Sequence, residues 1–62
     1  MIINQAKRMA IKAIEDYPSL KNDIVEAWEL MMSEIADGES KENEAEIFMG
    51  WLNNELEEME ER

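Results

Sequence analysis

Apolar residues recur every three or four positions in three separate segments, and no stretch alternates apolar and polar residues as a strand would. The first segment runs from Ile2 to Asp16. Successive residues of a helix turn by about 100°, which sets Ile2, Ala6, Met9, Ala10, Ala13 and Tyr17 on one side. Pro18 closes the segment, because proline lacks the amide hydrogen of a continuing helix and disfavours helical geometry at Tyr17. The expected helix covers 2–16.

The second helix is expected over 20–36. Ser19 is its N-cap candidate, and Asp23 lies near the end that favours negative charge. Leu20, Ile24, Ala27, Trp28, Met31 and Ile35 form the inner stripe, widened by Val25 and Met32. Gly38 follows the last periodic residue and can take the left-handed conformation that closes a helix.

The third helix is expected over 41–60, with Ser40 as its cap and Glu42 and Glu44 in or near the first turn. Ala45, Met49, Leu52, Leu56 and Met59 follow at spacings of 4, 3, 4 and 3, a seam over two heptads with Phe48 beside it. The last residues, 57–62, are expected to fray. Connections at 17–19 and 37–40 are short, which favours antiparallel neighbours. The expectation is an all-α fold: an antiparallel three-helix bundle forming a single domain over residues 1–62.

Once the stripes are assigned, a few apolar residues are left over. On the helical projection Ile11 falls among Lys7, Arg8 and Glu15, and Leu30 among Asp23, Glu26, Ser33 and Glu34. Ile47 and Trp51 are four apart and share a face, roughly 130° from the centre of the third seam. Trp51 is expected to point away from its own bundle, because a large ring left in water forfeits a burial worth a few kcal/mol and tryptophan is enriched at binding hot spots. Gly50 lies between them in a helix interior, where glycine costs about 1 kcal/mol relative to alanine. A close approach by another element would explain it. Ile47, Gly50 and Trp51, with Leu30 and Ile11 as additions, are the expected protein interface.

Length sharpens this expectation. A domain of 62 residues buries only about 60% of the surface its unfolded chain exposes, so its stability is marginal without reinforcement. With neither cysteine nor histidine, disulfides, thiolate-metal sites and imidazole ligands are excluded. Association remains, so dimerisation could complete the bundle.

Charge is unevenly distributed. The formal net charge is −10. Residues 1–21 carry four bases against two acids, for +2, and residues 22–62 carry fourteen acids against two bases, for −12. Direct binding to nucleic acid or an anionic membrane is disfavoured, whereas a basic protein partner is permitted. The bases of the first segment are expected to pair with acids elsewhere in the fold. An acidic decoy for a nucleic-acid site is the alternative. Glu42, Glu44, Glu46, Glu55, Glu57, Glu58, Glu60 and Glu61 span about 30 Å of helix, roughly one charge per 4 Å against one phosphate per ~3.4 Å of a DNA strand. They leave a gap between Glu46 and Glu55 that Glu26, Glu29 and Glu34 could fill only if the second helix presents them alongside.

Catalysis finds little footing. Ser19 and Ser40 stand at helix starts, and no histidine can serve Ser33 as a base. A calcium loop set on Gly38 at its sixth position puts Ile35 where a ligand is needed. A di-iron bundle site needs Glu-x-x-His pairs. No run approaches the ~20 apolar residues of a membrane span, and Lys7, Arg8 and Lys12 interrupt residues 1–14 as no secretory leader would. The expectation is a non-catalytic, cytoplasmic protein-binding or regulatory module without cofactor or metal. It would act on a protein partner, itself, or both, with a purely structural homodimer as a further alternative.

Overall fold

The structure, a computed structural model, describes residues 1–61. Three helices pack against one another: α1 (Ile2–Asp16), α2 (Lys21–Ala36) and α3 (Lys41–Glu60), with a single 3-10 turn at Pro18–Leu20. The expected all-α three-helix bundle is the observed one. Its long dimension of 37 Å against 17 and 16 Å follows from α3, the longest helix.

The helix boundaries have local causes. Tyr17 leaves helical geometry at φ −135° and ψ 78°, in the residue before Pro18. After Ala36 the Gly38 amide donates to the Ile35 carbonyl (3.0 Å) and the Glu39 amide to the Glu34 carbonyl (3.1 Å). This paired closure needs a left-handed residue, and Gly38 supplies it at φ 109°. Ser40 is extended, and its hydroxyl accepts from the Asn43 amide at 3.4 Å.

One local expectation is corrected. Ser19 does not cap α2: it lies inside the 3-10 turn, Leu20 precedes the helix, and no side-chain cap bond forms. Pro18 supplies the preset φ for a tight turn, so the Leu20 amide bonds the Tyr17 carbonyl at 2.9 Å and the helix starts one residue late. The third helix runs through Glu60, as its expected span of 41–60 has it, and the Glu61 amide donates to the Glu57 carbonyl. Arg62 of the expected frayed end lies outside the described residues. Ser40→Ala is therefore expected to cost up to about 1 kcal/mol and Ser19→Ala to fall within about 0.5 kcal/mol of wild type, both read by urea denaturation.

Alanines dominate the core contribution of α1. Ala6, Ala10 and Ala13 are buried together with Leu20, Ile24, Met31, Ala45, Phe48 and Leu52. Small side chains at a helix contact shorten the distance between axes. Helix α1 packs mainly on α3 and only lightly on α2. That asymmetry accounts for Val25 and Met32, expected to widen the inner stripe of α2 but exposed by about two-fifths. Among the described residues, no helix is long and apolar enough to cross a membrane.

A candidate contact groove between α2 and α3

Helices α2 and α3 run antiparallel, and their outer edges enclose an apolar groove. Along α2 it is lined in order by Ala27, Leu30, Met31 and Glu34, and along α3 by Trp51, Phe48, Ile47 and Glu44. Met31 and Phe48 are buried and form the floor. Leu30 and Ile47 rise from it, 61% and 66% exposed, and what sets them apart is that they border one apolar strip instead of standing singly. Residues three and four apart share a helix face, so each helix contributes one continuous strip.

Aromatic contacts fix the α3 side. The Trp28 ring meets Phe48 edge-on, with centroids 5.5 Å apart and planes at 82°. Trp51 leans over Phe48 from the other direction, at 6.1 Å and 42°. The first is the edge-on geometry that aromatic quadrupoles favour, and the second is tilted between the stacked and edge-on arrangements. Trp51 is thus half-buried, packed against the core by one part of its ring and lining the groove with another. Its expected outward orientation holds only in part. Phe48, three residues earlier, draws the indole inward, and that i,i+3 spacing was the sequence signal for it.

Of the expected contact residues, Leu30, Ile47 and Trp51 meet in one groove. Ile11 does not join them. It lies in a second groove on the α1–α2 side with Lys7, Val25, Trp28 and Glu29. Gly50 does not mark a close approach within the chain. It is exposed, and a methyl group added to it would meet no atom within 4 Å beyond its chain neighbours and the local backbone of its own helix. Gly50→Ala is expected to stabilise the fold by about 0.5–1 kcal/mol, as glycine to alanine does in an unstrained helix interior. A fall in stability or in self-association on that change would reveal a contact made by another molecule at this position.

Charge surrounds the groove asymmetrically. Glu34 and Glu44 stand at one end, and at the other Asp23, Glu26 and Glu55 continue it past Ala27, Leu30 and Trp51. No lysine or arginine lines either stretch. Among the described residues the single ion pair is Lys12 Nζ–Asp16 Oδ2 at 3.6 Å, within α1 and well exposed. The expected pairing of the α1 bases with acids elsewhere is therefore absent from these residues. Such an exposed pair contributes little. The remaining glutamates of the acidic alternative are dispersed: Glu42 lies near Ile2 and Ile3, Glu60 near Tyr17 and Leu56, while Glu46, Glu57, Glu58 and Glu61 are exposed.

The volume of the groove, about 320 Å³, is at the foot of the range for small-molecule sites, and its only charged groups are Glu34 and Glu44 at one end. Among the described residues no three carboxylates are placed to hold a metal ion. The sequence matches no protein-family model, no curated protein and no solved structure.

Proposed function

We propose that this chain is a small, non-catalytic protein-binding module that uses the α2–α3 groove as its contact surface. The supporting observation is the convergence of Leu30, Ile47 and Trp51, three residues set apart by sequence spacing alone, on one apolar strip floored by buried Phe48 and Met31. The indole is a residue type enriched at interface hot spots, and the two large aliphatic side chains left mostly in water beside it supply the apolar surround of an interface core. A rim of polar groups around such a centre is usual at interfaces.

Self-association through the same groove is the weaker version. A symmetric pair would bring Asp23, Glu26, Glu34, Glu44 and Glu55 of each copy around one contact, and like charges so placed oppose docking. The acidic-decoy reading also loses ground. Glu26 lies toward the Glu55 end, Glu34 stands at the Glu44 end, and Glu29 lies on the α1–α2 side, so the acid-free stretch of α3 faces Leu30 and Ala27 instead of more carboxylates.

Substitution at the exposed aliphatics separates binding from folding. Leu30→Ser and Ile47→Ser are each expected to change stability by less than about 0.5 kcal/mol. Binding to a partner captured from the native host's lysate should weaken tenfold or more, about 1.4 kcal/mol. Capture on immobilised wild-type and variant protein, followed by mass spectrometry, measures it. A partner held equally by all three proteins would remove the groove from the reading. Release of that partner in molar salt, together with equal capture by both serine variants, would favour the decoy, because apolar contact persists where charge is screened.

A further inference from the structure

The geometry points to the occupant: a cationic amphipathic helix, lying along the groove as a fourth helix against α2 and α3. This rests on the groove being a contact surface and goes further by naming the partner's chemistry. Three observations select it.

The first is shape. From Asp23 to Glu34 the strip on α2 runs about 16 Å, three turns of helix, and the α3 strip from Glu55 to Glu44 matches it in the opposite direction. A groove between two antiparallel helices accepts a third cylinder, the packing of helix bundles.

The second is backbone chemistry. Each peptide unit of an occupant brings a donor and an acceptor that need partners. The described residues form helices and turns, with no strand edge to pair with, and the floor of Ala27, Met31 and Phe48 offers only side-chain carbon and sulfur. An extended peptide would leave its amides unpaired over this floor. A helix satisfies its own, presenting side chains at i, i+3, i+4 and i+7 to Leu30, Ile47 and Trp51.

The third is charge. Five carboxylates flank the strip, two at one end and three at the other, and no cation lines it. An apolar stripe with lysine or arginine to either side places its bases against Glu34 and Glu44 at one end and Asp23, Glu26 and Glu55 at the other. An acidic or second-copy occupant meets repulsion at the same points.

A synthetic helical peptide of about 16 residues tests this, with leucines at i, i+3, i+4 and i+7 and lysines and arginines flanking them. Two comparison peptides replace the bases by glutamine or scatter the leucines around the helix at constant charge. Affinity is read by fluorescence anisotropy at low salt, and the site by amide and indole NMR shifts. The cationic amphipathic peptide is expected to bind at least tenfold tighter than either comparison, shifting Leu30, Ile47 and the Trp51 indole. A triple variant, Glu34→Gln, Glu44→Gln and Glu55→Gln, removes no buried side chain and should reduce the preference over the glutamine peptide to threefold or less.

Equal binding of the glutamine peptide would overturn the charge assignment while leaving the groove as a contact surface. Equal binding of the scattered peptide would overturn the helix-in-groove mode in favour of an acidic decoy. Shifts confined to Ile11 and Val25 would overturn the location. A concentration-dependent dimer in sedimentation, abolished by Ile47→Ser, would make a second copy the occupant and overturn the partner assignment. Absence of binding at millimolar peptide would overturn the inference, while a partner captured in an Ile47-dependent way would still uphold the contact surface.

Discussion

Phe48→Ala is expected to abolish cooperative unfolding and leave a chain that is helical but loosely packed. Phe48 is buried at the junction of α2 and α3 and touches both tryptophans, Trp28 edge-on at 5.5 Å and Trp51 obliquely at 6.1 Å. Truncating a buried phenylalanine costs about 3–5 kcal/mol, and each lost aromatic pair removes another 0.5–1.5 kcal/mol or so. At roughly 0.05–0.15 kcal/mol per residue, a chain of this length has only about 3–9 kcal/mol to lose. Urea titration followed by near-ultraviolet circular dichroism reads the result, because loss of fixed packing around the indoles removes that signal before helix content falls. Phe48→Leu keeps most of the volume and should retain a sharp transition, weakened by about 1–2 kcal/mol. A sharp transition in Phe48→Ala, displaced by less than about 1 kcal/mol, would mean that the aromatic cluster is not the structural centre of the fold.

What could be read from the sequence divides along a physical line. Features set within one helix were legible. The limits of α1 and α3 follow from Pro18 and Ser40, the closure of α2 from Gly38, and the inner stripes from their spacing. Features set between helices were not. The charge and spacing of Leu30 and Ile47 marked each as out of place on its own helix, but only the antiparallel register of α2 and α3 brings them together. Ile11 carried the same signal and stands apart, because α1 contributes no residue to the α2–α3 groove and Ile11 borders α2 instead. Net charge by segment likewise suggested pairing of α1 with the acidic remainder. Pairing needs a distance, and only Lys12–Asp16 within α1 supplies one among the described residues. Trp51 falls between the two cases: its face was legible, its lean onto Phe48 only partly.

Ala6→Leu is expected to destabilise the fold by about 2–3 kcal/mol while leaving the groove intact, the upper part of the range for an overpacked core. Ala6 on α1 and Ala45 on α3 have no exposed surface. Ala10 and Ala13, by contrast, border surface grooves into which a longer side chain can turn. A leucine at position 6 has no such outlet, so α1 must shift away from its neighbours, while Ala13→Leu can extend beside Met9, Tyr17 and Leu56 at smaller cost. Thermal and urea denaturation should therefore rank Ala6→Leu well below Ala13→Leu. Binding should not follow that ranking. Every residue lining the α2–α3 groove comes from α2 or α3, so a displaced α1 removes none of its contacts. Measured well below the melting temperature, Ala6→Leu should bind the cationic helix within about threefold of wild type, under 0.7 kcal/mol. Affinity that falls tenfold in Ala6→Leu, with the fold still fully populated, would show that the position of α1 sets the shape of the groove and that the contact surface extends beyond the α2–α3 pair.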